Sequence, residues 1–246
     1  MINVYWSPYY SIHPQDKDLE IFYGDIEHAR KQSMDNMNDD LGFNDNFLNC
    51  PSFNDLFKNT FLFRNLVEGY AKVENGQIVS GKLDHDSIAF NLIRKNTLKN
   101  RVLIKYEMSW ILFSDKPLNM SISSPYFHEA HNTKFGSIVP GIFDIGSWFR
   151  PINLEYSLDK DVDEIYIPPD DPLVYLTFHT DEKIKLSRFQ MNEKLMKYAL
   201  SVMRTRPTGS FSPLKKSYAY FNKTHLRGNI LKEIQANLLY PPNNAE

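Results

Sequence analysis

Apolar and polar residues alternate along much of this chain with the two-residue period of β-strands. In residues 152–158 (INLEYSL), apolar side chains occupy every even position and polar ones every odd position. Such alternation is typical of a strand with one buried face. Residues 136–178 as a whole divide into three or four apolar-rich strands separated by turn residues, and end in a Pro-Pro-Asp-Asp-Pro corner at 168–172. The pattern therefore predicts a compact antiparallel β-structure at the centre of the protein.

Further strand-like segments flank this block. The dipeptide Asn75-Gly76 is the strongest hairpin signal in the chain and predicts that residues 70–74 pair with 77–80. Residues 102–113 (VLIKYEMSWILF) are too apolar for a surface helix and predict a central strand. The remaining predicted strands are residues 2–10, 61–63, 118–123 and 183–189.

Helical signals are fewer. Pro51 can begin a helix with Asn49 as its cap, and residues 192–204 place apolar side chains at helical spacing. Shorter or weaker patterns predict helices at 25–34 and 224–239. Together these features predict a mainly β fold, either an antiparallel β-sandwich or a jelly-roll or β-clip-like barrel, with two or three peripheral helices. We expect a β-rich core domain at 1–190, followed at 191–246 by an amphipathic helix and a basic C-terminal arm that packs on the core or on a neighbour.

Composition narrows the class of protein. Of the 246 residues, 42% are hydrophobic and 14% aromatic, which excludes a disordered chain. No apolar run approaches the roughly 20 residues that span a bilayer, and the N-terminus has no signal-peptide pattern, so we expect a soluble, cytoplasmic protein. The single cysteine, Cys50, excludes an internal disulfide and a multi-cysteine metal site. Because it precedes a proline in an apolar setting, we expect a buried, inert thiol.

The net charge of −2 conceals a strong separation of charge along the chain. Residues 182–227 contain eleven basic side chains against two acidic ones, Glu182 and Glu193, so this segment carries +9 and the remainder −11. The separation indicates an anionic partner for the C-terminal third, which can be another molecule, a second copy or the protein's own acidic body. Its aromatic residues also suit single-stranded nucleic acid, although an inter-subunit arm is the favoured interpretation. The basic residues are Lys183, Lys185, Arg188, Lys194, Lys197, Arg204, Arg206, Lys215, Lys216, Lys223 and Arg227.

Three histidines, His128, His131 and His179, form the candidate metal set. Two imidazoles and a carboxylate at the mouth of a β-sandwich would suit an open Fe, Mn or Zn site. The alternative is that His128 and His131 are ordinary loop residues and that His179 faces solvent at a strand end. The favoured expectation is no cofactor, with Fe, Mn or Zn as the alternative.

Asp144, Trp148 and Arg150 lie close together between two predicted strands. Trp148 and Arg150 offer a stacking surface and a forked cation, which suit an anionic or aromatic ligand. The alternative is a packed turn in which the tryptophan fills the core and Arg150 pairs with Asp144. No side chain in the sequence stands out as a catalytic nucleophile.

The blocks GIFDIGSWFR (141–150), INLEY (152–156) and IPPDDPLVYLTF (167–178) resemble the dUTPase and dCTP deaminase superfamily. The resemblance implies a β-clip fold. It also implies that Asp144 holds the nucleophilic water or the sugar hydroxyl and that Trp148 lies against the deoxyribose. The superfamily's serine- and arginine-bearing phosphate motif is not found in this chain.

A second resemblance covers most of the chain. The blocks CPSFNDLFKNTF (50–61), GIFDIGSWFRP (141–151) and PPDDP (168–172) are similar to an uncharacterised family of proteins of about 240 residues. That family is found in marine T4-like tailed phages, notably cyanophages, and in some bacteria. It implies a location in the host cytoplasm or in the virion, and it brings no activity.

The leading functional prediction is a non-enzymatic binding or assembly protein, plausibly phage-encoded, that docks through its basic C-terminal arm. We expect self-association or a protein partner, with nucleic acid less favoured and no membrane. The alternative is an enzyme, either a metal-dependent β-sandwich oxygenase that uses His128 and His131 or a dUTPase-like nucleotide hydrolase centred on Asp144.

Overall fold

A computed structural model of the chain confirms the mainly β prediction. It contains fourteen strands and three α-helices within the residues that it describes. Those residues are 1–9, 26–29, 50–65, 68–74, 77–80, 90–98, 100–204, 221 and 225–239.

Most strands fall close to their predicted positions, and the predicted hairpin is formed by antiparallel pairing of residues 69–74 with 77–80. Residues 27–28 and 90–98 form strands that were not predicted, and the central block, residues 136–178, holds five strands instead of three or four. In chain order the strands are β1 (Ile2–Pro8), β2 (Glu27–His28), β3 (Thr60–Arg64), β4 (Gly69–Glu74), β5 (Gln77–Ser80), β6 (Phe90–Leu98), β7 (Arg101–Ser114), β8 (Asn119–Ser123), β9 (Gly136–Ile138), β10 (Gly141–Asp144), β11 (Pro151–Asp159), β12 (Glu164–Ile167), β13 (Pro172–Phe178) and β14 (Ile184–Arg188).

The strands form three open sheets. The first has the order β14-β1-β7-β11-β9 with β6 also paired to β7, the second β10-β8-β13-β3-β2, and the third β12-β4-β5. None of these sheets closes on itself in the described part of the chain, which favours the sandwich over the barrel. All pairings between these strands are antiparallel except that of β1 with β14, which is parallel.

The main core lies between the first and second sheets. Even-numbered residues of β7, such as Ile104 and Leu112, share one buried cluster with Val174 and Leu176 of β13. The opposite faces of these strands are buried as well: Phe113 of β7 packs under two helices, and Tyr175 of β13 contacts a third. Burial on both faces explains why β13 and residues 110–113 of β7 are almost continuously apolar in sequence.

The three helices lie outside the sandwich. They are α1 (Pro51–Phe57), α2 (Glu193–Arg204) and α3 (Leu226–Ala236). As predicted, α2 is amphipathic and buries Leu195, Met196 and Ala199 against the first sheet. Of residues 25–34, where another helix was predicted, the structure describes 26–29, and Glu27–His28 form strand β2 paired with β3, so the helix prediction is wrong at this point. None of the described helices has the length and apolar character needed to cross a membrane.

Cys50 corrects one prediction. It occupies the cap position before α1, because Pro51 is the first residue of the helix. Asn49, the predicted cap, lies outside the described residues. The thiol is exposed, so the expected burial is wrong. The residue that α1 buries is Phe57, at the opposite end of the helix, which leaves the N-terminal end at the surface.

The C-terminal helix is anchored to the β-sandwich by its first turn. Arg227 donates hydrogen bonds to the carbonyl oxygens of Gly146 (3.0 Å) and Ser114 (3.1 Å), and its guanidinium lies over the Phe113 ring. After α3, the backbone of Leu239 donates to the carbonyl of Arg188 at the end of β14. The division of the chain near residue 190 stays a prediction, and most of the basic arm, residues 205–220, lies outside the described part of the structure.

Candidate functional site

Two features that the sequence singled out separately meet in the structure. The loop that carries the histidines continues into a short 3-10 helix, His131–Lys134, which packs against the corner at 168–172. The side-chain amide of Asn132, buried at 1% exposure, donates to the carbonyls of Pro172 (3.3 Å) and Leu173 (3.0 Å). The backbone N–H of His131 donates to Asp171 Oδ2 at 2.9 Å. These bonds fix the position of His131 relative to the corner.

The corner itself is organised by Asn65, which has no exposed surface. Its backbone N–H donates to the Asp171 carbonyl (2.8 Å) and its own carbonyl accepts from the Asp170 N–H (2.5 Å). Its side chain donates to the Pro168 carbonyl at 2.9 Å and accepts from the Tyr106 hydroxyl at 2.6 Å. Asp170 has a left-handed φ of 63°, a conformation that aspartate tolerates better than most residues. The turn therefore holds the next residue, Asp171, in a defined place.

Asp171 and His131 form a carboxylate–imidazole pair. His131 Nδ1 lies 2.8 Å from Asp171 Oδ1. The Asp171 side chain is 3% exposed and the His131 side chain 43% exposed. With an ionised carboxylate on Nδ1, the neutral imidazole carries its proton on Nδ1 and leaves Nε2 as an acceptor. This arrangement can hold the ring in one tautomer and accept a proton at Nε2.

His131 lines a cleft of about 440 Å³ between the 3-10 helix and β12. Its lining combines apolar side chains with three carboxylates and one lysine. The lining therefore carries a charge of −2 when His131 is neutral. The cleft therefore disfavours anions. The lining residues are His131, Lys134, Phe135, Asp161, Val162, Asp163, Glu164 and Tyr166.

His128, three residues earlier, has a different environment. It is buried, its Nδ1 lies 2.5 Å from the Tyr175 hydroxyl, and its Nε2 has no hydrogen-bond partner among the described residues. Burial, assisted by the positive charge of Arg64, lowers the pKa of His128 to about 4. His128 and His131 thus take different partners, while His179 is exposed just after β13. Among the described residues no group of three or more His, Cys, Asp or Glu could hold a metal ion, and the metal site stays a prediction.

The low pKa of His128 predicts acid sensitivity. The folded protein keeps this imidazole neutral, whereas the unfolded chain binds a proton below a pKa of about 6.5. The associated stability is complete above about pH 6.5 and is lost as the pH falls towards 4, up to about 3 kcal/mol. We expect urea unfolding between these pH values to show a steeper loss of stability for the wild type than for His128→Phe. His179→Gln is the control, and equal pH slopes for the wild type and His128→Phe would contradict the prediction.

The predicted ligand-binding residues, Trp148 and Arg150, do lie together. The Arg150 guanidinium carbon is 4.5 Å from the centre of the Trp148 ring, and Phe143 meets the same ring edge-on at 5.9 Å. Asp144 does not form an ion pair with Arg150 in the described structure. Its Oδ1 accepts the N–H groups of Gly146 (3.1 Å) and Ser147 (3.2 Å). The carboxylate therefore stabilises the turn between β10 and Trp148.

This turn packs closely against residues 116–117 of the same chain, so position 146 must be a glycine. A Cβ atom at Gly146 would lie 2.7 Å from the Lys116 carbonyl oxygen and 2.8 Å from the Pro117 Cα. The turn leads from β10, which pairs with β8 and lies at the edge of the second sheet as far as the described residues extend. Ile142, in the middle of β10, is 71% exposed. An apolar side chain on a sheet edge is unusual, because such edges invite pairing with other chains.

Sequence reasoning selected His131, Trp148 and Arg150 and missed Asp171 and Asn65. Asp171 carries a signal in sequence only as part of an acidic turn, and Asn65 carries none. Comparisons of the chain with protein-family models, curated proteins and solved structures find no match.

Proposed function

We propose that this protein is a binding or assembly protein that docks through the edge strand β10 and the basic segment beside it. The observation that carries the proposal is Ile142, 71% exposed on an edge strand. We refer to Ile142, Phe143, Trp148 and Arg150 as the β10 surface. A second copy of the chain is the occupant that we favour.

An edge strand presents backbone N–H and C=O groups to a partner strand. One edge of β10 pairs with β8, with Gly141 opposite Ile122 and Asp144 opposite Asn119. Many natural sheets protect such edges with charged side chains or proline, whereas the central residue here is an isoleucine. Pairing with an added strand would satisfy the edge and bury this side chain. The Trp148–Arg150 stack meets Phe143, on the opposite face of β10 from Ile142, and adds aromatic surface and a positive charge to the same strand.

The basic segment, residues 182–227, carries +9, and its last basic residue lies near the β10 surface. Arg227 donates to the carbonyl of Gly146, in the turn between β10 and Trp148. Since the remainder of each chain carries −11, a second copy offers acidic groups to this region. The charge separation supports association that is sensitive to salt.

The test is the mass of the protein in solution. We expect the wild type to form an oligomer and Ile142→Asp to dissociate it, because burying an isoleucine contributes about 1.5–3 kcal/mol, or roughly 10- to 150-fold in affinity. Multi-angle light scattering at about 0.1 M and about 1 M salt would measure both the loss and its electrostatic share. Tyr126→Asp is the matched control, because Tyr126 is also exposed (51%) and packs on Phe127, outside the β10 surface.

Three outcomes would contradict the proposal. A monomeric wild type across the accessible concentration range would exclude self-association. An oligomer unchanged by Ile142→Asp would show that β10 is not the contact. A mass lowered equally by Ile142→Asp and Tyr126→Asp would indicate a general loss of solubility or folding and would also count against β10.

The two enzyme alternatives stay predictions. For the nucleotide hydrolase, Asp144 has a structural role that accounts for its position, because it accepts two turn N–H groups. A gain in thermal stability with dUTP or dCTP, lost in Asp144→Ala, would favour that alternative.

A further inference from the structure

We propose that His131 acts as a general base that activates water for the hydrolysis of a small carboxylic ester or amide that carries no negative charge. The proposed site is the cleft between the 3-10 helix and β12. This activity goes beyond the assembly role, and the site uses none of the residues of the β10 surface.

The orientation of the His131 ring is fixed by Asp171. Asp171 accepts both the backbone N–H of His131 (2.9 Å) and its Nδ1 (2.8 Å), so main chain and side chain are held by one carboxylate. The ring is therefore fixed in rotation as well as in tautomer. Nε2 lies on the side of the ring away from Asp171, and the ring meets that of Tyr166, another residue of the cleft lining, edge-on at 6.4 Å.

The carboxylate that holds this ring is buried. Asp171 is 5% exposed, and the corner that carries it is tied to the buried Asn65. A buried negative charge in contact with Nδ1 stabilises the imidazolium that forms when Nε2 takes a proton. His131 itself is 43% exposed, so water and a substrate can reach it. His128, whose Nε2 is buried, lacks this access.

The cleft suits the proposed substrate in volume, in apolar surface and in charge. A volume of about 440 Å³ is within the range of small-molecule sites, and Phe135, Val162 and Tyr166 give it apolar surface. Asp161, Asp163 and Glu164 repel an anionic substrate. Lys134, a cation in the same wall, can stabilise the negative charge that develops on the carbonyl oxygen.

The proposed reaction balances without any other reactant. Nε2 of His131 removes a proton from water while the water oxygen bonds to the carbonyl carbon. The carbon–oxygen or carbon–nitrogen bond to the leaving group then breaks, and the proton on Nε2 passes to the leaving group. The products are a carboxylic acid and an alcohol or amine. His131 returns to its neutral form, and Asp171 acts as a positioning residue.

The experiment measures hydrolysis of three 4-nitrophenyl esters by the full-length protein: the cationic betaine ester, the neutral acetate and the anionic succinate. We expect hydrolysis above the buffer rate, fastest relative to buffer for the cation and slowest for the anion. His131→Gln should lower the enzymatic rate about 10²-fold, the lower end of general-base effects. Asp171→Asn should lower it at least about tenfold and alter its pH profile, which a merely structural role would not do.

His179→Gln is the matched control, because His179 is an exposed histidine outside the cleft and should leave the rate unchanged. A wild-type rate no higher than that of His131→Gln overturns the proposal, and a preference for the anionic ester overturns the substrate class. An unchanged rate and pH profile in Asp171→Asn overturns the positioning role. Ile142→Asp should keep the full rate, so failure of the assembly proposal and failure of this one are distinguishable.

Discussion

Replacing Asn65 with leucine is expected to lower the free energy of unfolding by about 3–5 kcal/mol. The leucine has a similar volume but cannot donate to the Pro168 carbonyl or accept from the Tyr106 hydroxyl, which lie 2.9 and 2.6 Å from the Asn65 side chain. Each buried polar group that loses its partner costs about 1–3 kcal/mol. The two backbone bonds of Asn65, to Asp170 and Asp171, depend on the same geometry. We therefore expect the corner to loosen as well.

Urea unfolding of the purified variant measures this effect. Asn229→Ala is the control, since Asn229 is an exposed residue of α3 and its loss should change stability by no more than about 0.5 kcal/mol. A loosened corner would also release Asp171, so the His131-dependent rate should fall with Asn65→Leu. An unfolding free energy within about 1 kcal/mol of the wild type would show that Asn65 does not organise the corner.

Phe113→Ala is expected to cost about 3–5 kcal/mol by removing the centre of the contact between the first sheet and its helices. Phe113 is fully buried. Its ring meets those of Phe149 and Phe221 edge-on, at centroid distances of 5.3 and 6.2 Å, and Arg227 lies over it at 5.9 Å. Truncation removes these contacts and leaves a cavity that rigid strands cannot close. Amide hydrogen exchange should accelerate in α2 and α3 more than in β13, which packs on the other side of the sandwich.

Ile142→Ala is the matched control for this substitution, because it also truncates a large apolar side chain of a strand but at an exposed position. We expect a change of no more than about 0.5 kcal/mol in the monomer. If denaturant unfolding finds equal losses for the two variants, the helical layer does not depend on Phe113. Exchange that accelerates equally in β13, α2 and α3 would instead indicate global destabilisation without a local role.

The fold was predictable where a local pattern encodes it. The largely apolar sequence of β7 predicted its central position, and the helical spacing of Leu195, Met196 and Ala199 predicted α2. The parallel pairing of β1 with β14 was not predictable, because no turn links the two strands and their pairing depends on the rest of the fold. The exposure of Cys50 was mispredicted because apolar neighbours in sequence do not show which end of α1 faces the core.

The candidate site was predictable only in part. His131 was selected as a metal ligand from its proximity to His128, yet the two rings take different partners in the structure. The partner of His131, Asp171, lies 40 residues away, and its sequence context is that of an ordinary turn. Trp148 and Arg150 are two residues apart and were selected together for that reason, but the stacking of the guanidinium on the indole ring was not predicted. Proximity in sequence thus identified candidate residues, whereas their partners were set by packing and were not accessible.

The parallel pairing of β1 has a consequence for synthesis on the ribosome. β1 is made first, but its neighbours in the sheet are residues 110–114 of β7 and residues 184–188 of β14. During translation this apolar strand has no partner until β7 emerges, and its second edge has none until β14 follows. Residues this distant in sequence must pay the full entropy of loop closure before their contacts stabilise the chain. We expect β1 to join the sheet late, so that the nascent protein exposes Val4 and Trp6 for most of its synthesis. During that time a chaperone that binds extended apolar segments could bind this strand.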